Sequence, residues 1–275
     1  MMSDSAYPTV DVSLARRLER AEGMASAACV DARRGLQPQV GAEWIDVNGV
    51  FAMFDGITSP LTQSFGLGLV ESFTAAQLDE VENFFLRHHS PVAHEISSFA
   101  TPTTMNLVSA RGYTPIESSV VSVRPTNASA IRGTGKIAVR LVDDADTDVW
   151  ARVSSEGLRA ESKELGAFLE DFGILLSRVP GVYRFLAEID GRGIATGSLT
   201  LRNGVALFSG ASTVPEARKQ GAQQALLESR LAFAADHGIE LAMIVTSPGS
   251  TSQRNAERQG FRAAFMRSKW QRCLE

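Results

Sequence analysis

The sequence predicts an α/β protein made of two similar halves in tandem. Three observations point to it. Strand-like and helix-like runs alternate along most of the chain. The order of elements occurs twice: setting Gly112 on Gly260, an offset of 148 residues, puts Tyr113 on Phe261 and Arg124 on Arg272. Between the halves lies "PTNASAIRGTG", residues 125–135, small, polar and without apolar periodicity, as a linker is. The expected lobes are therefore 1–127 and 136–275.

In the first half, "SFGLGLVES" reads as a strand, 74–89 as a helix and "VAHEISSF" as a strand. A short helix through "TPTTMNLVSARGY" and a strand, "TPIESSVVSVR", follow. In the second half "KIAVRLV" is a strand, and helical stretches cover 146–160 and 162–178. "GVYRFLAEIDG" and "GIATGSLTLRNG" form a hairpin turning at Asp190-Gly191. "VALFSGAST" is the next strand, and 220–237 is a helix that Gly238 stops. "IELAMIVTS" is a buried strand, 251–259 a short helix, and "FRAAFMRSKWQ" the final strand.

Composition narrows the function classes. Hydrophobic content of 44% and charged content of 21% fit a soluble globular protein. A net charge of −4, an aromatic content of 7% and no basic patch argue against a nucleic-acid or anionic-lipid partner. No apolar stretch approaches the roughly 20 residues needed to span a bilayer. The opening "MMSDSAYPTVDVSLARRLER" has no apolar core behind a basic head, so it does not read as a signal peptide. Cys29 and Cys273 read as reduced thiols, and the expected location is cytoplasmic. His88, His89 and His94 lack the convergence that a metal site needs, and no metal is expected.

One turn stands out. "VPEARKQGAQQALL", residues 214–227, leaves a strand, passes Pro215, and places Arg218, Lys219, Gln220 and Gly221 where a helix begins. The first N–H groups of a helix have no intrahelical partner, and its dipole favours an anion there. Gly221 permits close approach to the backbone, and Arg218 offers a fork that fits phosphate oxygens. From the turn alone, a phosphate cradle and a solvated basic cap are both open. The matching turn of the first half, "ESFTAAQLDEVENFF", carries Asp79, Glu80 and Glu82 instead, which would repel a polyanion.

The turn resembles motif A of the GCN5-related N-acetyltransferases (GNATs), Arg/Gln-x-x-Gly-x-Gly/Ala, with Arg218, Gly221 and Gln223 at the pattern positions. Gln223 departs from the usual Gly or Ala. The tail "GSTSQRNAERQGFRAAFMRSKW" is similar to motif B of a subset reading S-x-R-N-x-x-R-x-G-F. The resemblance implies two tandem GNAT-like lobes, each a mixed, mostly antiparallel twisted sheet flanked by helices, the first degenerate. It implies one acetyl-CoA per chain, held by the second lobe. The pantetheine arm would pair with the strand from Gly210 to Val214, that is with Ala211, Ser212, Thr213 and Val214. The pyrophosphate would sit on Arg218, Lys219, Gln220, Gly221, Ala222 and Gln223, with Ser252 and Asn255 nearer the sulfur. Gly210 suits a strand bulge whose N–H would meet the thioester oxygen, or else marks close packing.

The implied reaction transfers an acetyl group to a small-molecule or peptide amine, by a monomer or homodimer. Glu188 is the candidate base, ahead of Glu156, Glu161 and Glu164, and Tyr183 a candidate acid. The Tyr that often supplies that acid in the family is here Ala256. A non-catalytic acyl-CoA-binding or regulatory protein, and a transferase with another acyl donor, stay open.

Overall fold

The computed structural model describes residues 7–70, 73–127, 137–159 and 163–272. In chain order these hold α1 (Val12–Leu36), β1 (Glu43–Val47), β2 (Val50–Phe54), β3 (Gln63–Phe65), α2 (Ala75–Arg87), β4 (Val92–Ser97), α3 (Pro102–Ala110) and β5 (Thr114–Pro125). Then come β6 (Ala138–Leu141), α4 (Thr147–Arg159), α5 (Lys163–Leu176), β7 (Val182–Ile189), β8 (Arg192–Arg202) and β9 (Val205–Thr213). The chain closes with α6 (Ala222–Asp236), β10 (Leu241–Thr246), α7 (Thr251–Arg258) and β11 (Arg262–Arg272). No described helix is long and apolar enough to cross a membrane.

The chain divides into two compact units. One holds Pro8–Ser122, Thr246–Pro248 and Ala263–Glu275; the other holds Met1–Tyr7, Val123–Val245 and Gly249–Arg262. In the first unit the strands run β1-β2-β3-β4-β11 and then the start of β5. Strand β11 lies antiparallel on β4, from Arg267 opposite Ser97 to Arg272 opposite Val92. Strand β2, "VFAMF", is an unbroken apolar run because both of its faces are covered. Phe51 and Met53 join Ala27 and Val30 of α1, while Val50, Ala52 and Phe54 join Leu78, Val81, Phe84 and Phe85 of α2.

Helix α1 precedes every element read from the sequence. Asp11 caps it, accepting a hydrogen bond from the Leu14 N–H at 2.8 Å. Leu14, Ala15, Leu18 and Ala21 form its buried stripe at helical spacing. The run "SFGLGLVES" is not a strand as expected: β3 stops at Phe65. Gly66 and Gly68 then take φ of 92° and 87°, which turn the chain. A side chain at Gly66 would place its Cβ 2.6 Å from the Gly49 carbonyl oxygen.

His94, in this unit, is a hydrogen-bonded core residue. Its Nδ1 lies 2.6 Å from Ser64 Oγ and its Nε2 3.1 Å from Tyr113 Oη, which in turn donates to Glu82 at 3.0 Å. Cys29 is buried in α1, and Cys273 lies outside the described residues.

In the second unit the end of β5 is followed by β10-β9-β8-β7-β6. Pairing is antiparallel from β6 to β9 and parallel between β9 and β10. Successive residues of β7 face opposite layers. Phe185 meets Phe233 of α6 edge-on at 5.5 Å, while Leu186 shares the space above Gly193 with Val153 of α4. Trp150 locks α4 to the sheet, its Nε1–H donating to the Phe185 carbonyl at 2.9 Å.

Candidate functional site

Strands β9 and β10 pair in parallel only from Val205 opposite Leu241 to Phe208 opposite Ile244. Beyond Phe208, β9 stays paired with β8 out to Thr213, so the two parallel strands part. The parting coincides with a bulge. Ser198 faces Ser209 and Thr196 faces Ser212, so β9 has two residues, Gly210 and Ala211, where β8 has one, Gly197. Gly210 sits in the bulge at φ 60°, where a Cβ would come 2.7 Å from Ser198 Oγ.

After β9 a short 3-10 turn, Pro215–Ala217, leads to the loop before α6. Arg218 is extended, Lys219 has φ 64°, and Gly221 at φ 93° is the N-cap of α6 without a side-chain cap bond. The contrast with α2 is plain. There Thr74 Oγ1 accepts the Gln77 N–H, and Gln77 Oε1 accepts the Thr74 N–H, so the helix closes its own N-terminus.

A cavity of about 750 Å³ opens between the parted strands and the start of α6. Its buried floor is Leu227, Arg230 and Ile244. Arg218, Lys219, Arg254 and Arg258 stand exposed at its rim, and no Asp or Glu is among its described lining residues.

Most of the residues singled out from the sequence meet here. Ala211, Ser212 and Thr213 form the strand wall, and Arg218, Lys219, Gly221, Ala222 and Gln223 the loop and first helical turn. Ser252 and Asn255 come from α7. Val214 and Gln220 flank the cavity: the Val214 N–H donates to the Ile194 carbonyl at 3.0 Å, and the Gln220 amide to the Glu216 carbonyl at 3.0 Å. The Arg218 guanidinium reaches the Gly157 carbonyl at 2.7 Å, tying the loop to the last turn of α4. The Gln223 amide donates to the Ser212 carbonyl and to Thr213 Oγ1, both at 2.9 Å.

Three arginines of this cavity were not among the expected site residues, although two of them, Arg254 and Arg258, stand in the motif B stretch. Arg254 and Arg258 share a face of α7 with Thr251 and Asn255 at helical spacing, a pattern that could have shown them. Arg230 lies inside the apolar stripe Leu226, Leu227, Leu231, Ala234 of α6, and a charge in such a stripe is itself a signal.

No family model and no curated protein matches the sequence. Solved structures do match. A GCN5-related N-acetyltransferase from Kribbella flavida aligns over 90% of this chain and 96% of its own, with TM-score 0.64 and 16% identity. A tandem GNAT protein from the clavulanic acid biosynthesis pathway aligns over 81% and 78%, with TM-score 0.58 and 13% identity. The fold is that of the tandem GNATs. A GCN5-related N-acetyltransferase from Sphaerobacter thermophilus is similar over 96% of this chain and 93% of its own, with TM-score 0.56 and 13% identity.

The GNAT fold does not bring the two candidate catalytic residues to the cavity. Glu188, on β7, accepts a hydrogen bond from Arg140 Nε at 3.1 Å, and Arg140 also binds Asp146. Tyr183 packs on Phe233 at 4.5 Å and on His237 at 5.7 Å, near the C-terminal end of α6, whereas the cavity lies at its N-terminal end. Glu156 is exposed on α4, and Glu161 and the side chain of Glu164 lie outside the described residues. Ala256, at the position of the family's Tyr, is buried in α7.

Proposed function

We propose that the protein is an acyl-CoA-dependent N-acetyltransferase whose second unit holds one acetyl-CoA and passes its acetyl group to an amine. One observation carries this reading: an all-cationic cavity at an uncapped helix N-terminus, beneath parted parallel strands. The residues fit the group. The backbone N–H groups at the start of α6, with Arg218 and Lys219, suit a pyrophosphate. The strand wall of Ala211, Ser212 and Thr213 suits an extended, amide-bearing arm, and the floor beneath it is partly apolar. The cap bonds that close α2 support a single site per chain.

Bound there, acetyl-CoA supplies an activated thioester. The chain's part is to orient it and to answer the charge that develops on its oxygen. An N–H of the Gly210–Ala211 bulge would be the donor for that. Ser252 and Asn255 of α7 are the polar side chains that would lie along the cofactor's thiol end.

Calorimetric titration with acetyl-CoA and dephospho-CoA tests the reading. One site per chain is expected, with Arg218→Ala weakening binding by about 1–3 kcal/mol, the value of charge-assisted hydrogen bonds. No binding by the intact protein would end it.

The location of Ala256 and the Arg140 bond of Glu188 favour a second reading, a non-catalytic acyl-CoA-binding protein. Turnover of acetyl-CoA with a panel of amines separates the two.

A further inference from the structure

Arg230 is the least expected residue of the cavity. It is 1% exposed, yet among the described residues no carboxylate pairs with it. A guanidinium has five N–H donors. Nε–H donates to the Leu226 carbonyl at 3.1 Å, and Nη1 to the Ser198 and Ser209 carbonyls at 2.9 and 3.2 Å. Nη2 has no hydrogen-bond partner among the described residues. The cation lies over the Phe208 ring at 4.8 Å, at the point where β9 and β10 part.

Burial lowers the pKa of Arg230 from 12.5 to about 9, so it stays charged at neutral pH. Carbonyl oxygens solvate that charge but cancel none of it, and an uncompensated buried charge is costly. A Cβ at Gly197 would lie 2.8 Å from the Arg230 Cζ, so the sheet leaves out a side chain to admit the guanidinium. The four rim cations are exposed and suit the phosphates of CoA. Arg230 is the cation left over, buried on the floor of the cavity and not at its rim.

We infer that the acyl group taken by this cavity carries its own anion: the donor is the CoA thioester of a dicarboxylic acid, and its distal carboxylate meets the unpartnered Nη2 of Arg230. The inference rests on the acyl-CoA reading above and deepens it. A carboxylate would supply both the counter-charge and the missing acceptor through a charge-assisted hydrogen bond to Nη2, the one nitrogen the carbonyls leave open. A plain acetyl group would leave both wanting.

Succinyl-CoA and butyryl-CoA have acyl chains of equal length and differ in whether a carboxylate or a methyl ends them. Calorimetric titration of the full chain with each, and with CoA itself, gives the test. Succinyl-CoA is expected to bind at least about tenfold more tightly than butyryl-CoA, the discrimination of one charge-assisted contact. Arg230→Met should remove that preference while CoA still binds, and Arg230→Lys should keep part of it. Equal binding of the two thioesters by the intact protein overturns the inference and leaves the acyl-CoA reading standing. Failure of CoA and of every thioester to bind overturns both. If both Arg230 variants weaken the two thioesters equally, the arginine only braces the bulge and the inference falls.

Discussion

Gln223 stands where the family pattern has Gly or Ala, and a long amide there would be expected to crowd a phosphate. The structure turns it aside: the amide bridges to Ser212 and Thr213 of β9. Gln223→Ala is therefore expected to lower stability by about 1 kcal/mol, the net value of a typical hydrogen bond, with CoA affinity changed less than threefold. Chemical denaturation and titration check the two halves of that statement. Arg218, Gly221 and Ser252 could be placed from the sequence because motif spacing fixes them locally. Glu188 and Tyr183 were not placed so well, since a residue's strand does not tell which neighbour its side chain will meet. For Glu188 that neighbour is Arg140, 48 residues earlier.

Among the elements, α4 is held to β9 more closely than its sequence suggests. A Cβ at Gly157 would fall 1.8 Å from Ser212 Oγ and 2.9 Å from the Thr213 nitrogen, and the second of these is backbone that cannot turn aside. Gly157→Val is expected to push α4 off the strand, costing about 1–3 kcal/mol as overpacking does and weakening CoA binding through the Arg218 contact to the same residue. A melting temperature equal to that of the unchanged protein would refute this close contact. The hairpin of β7 and β8, and helices α4 to α7, follow from apolar period and turn residues, which is why they were legible. Helix α1 was passed over because its opening was weighed only as a leader sequence, though Asp11 and the Leu14 stripe mark it. The expected strand fails after Phe65 for the opposite reason, since Gly66 and Gly68 end the run and are not part of it.

For the molecule as a whole, two buried groups set opposite limits on stability. Burial raises the Glu19 carboxyl from 4.5 to about 8 against the pull of Arg267, so the folded protein keeps that proton longer than the unfolded chain. Its contribution is complete below pH 4.5 and is lost as pH rises through about 8. Burial lowers His94 from 6.5 to about 3, so its contribution is present above pH 6.5 and lost as pH falls through about 3. Glu19→Gln is expected to reduce the fall in melting temperature between pH 5 and pH 9, as thermal melts at the two values would show. An unchanged fall would mean that Glu19 is not the group responsible. Overall architecture was legible from repeated element order, but this chemistry was not, because it depends on which charges the packing buries together.

Strand β11 has a consequence for how the protein is made. It completes the sheet of the first unit, yet it is synthesised only after nearly all of the second unit. At bacterial-like synthesis rates, the gap between Ser122 and Ala263 amounts to on the order of ten seconds. Throughout that interval β4 has an unpaired edge, the kind of surface on which nascent chains stick to one another. Residues 1–127 produced alone should therefore aggregate, and adding a peptide of the β11 sequence in trans should rescue their solubility.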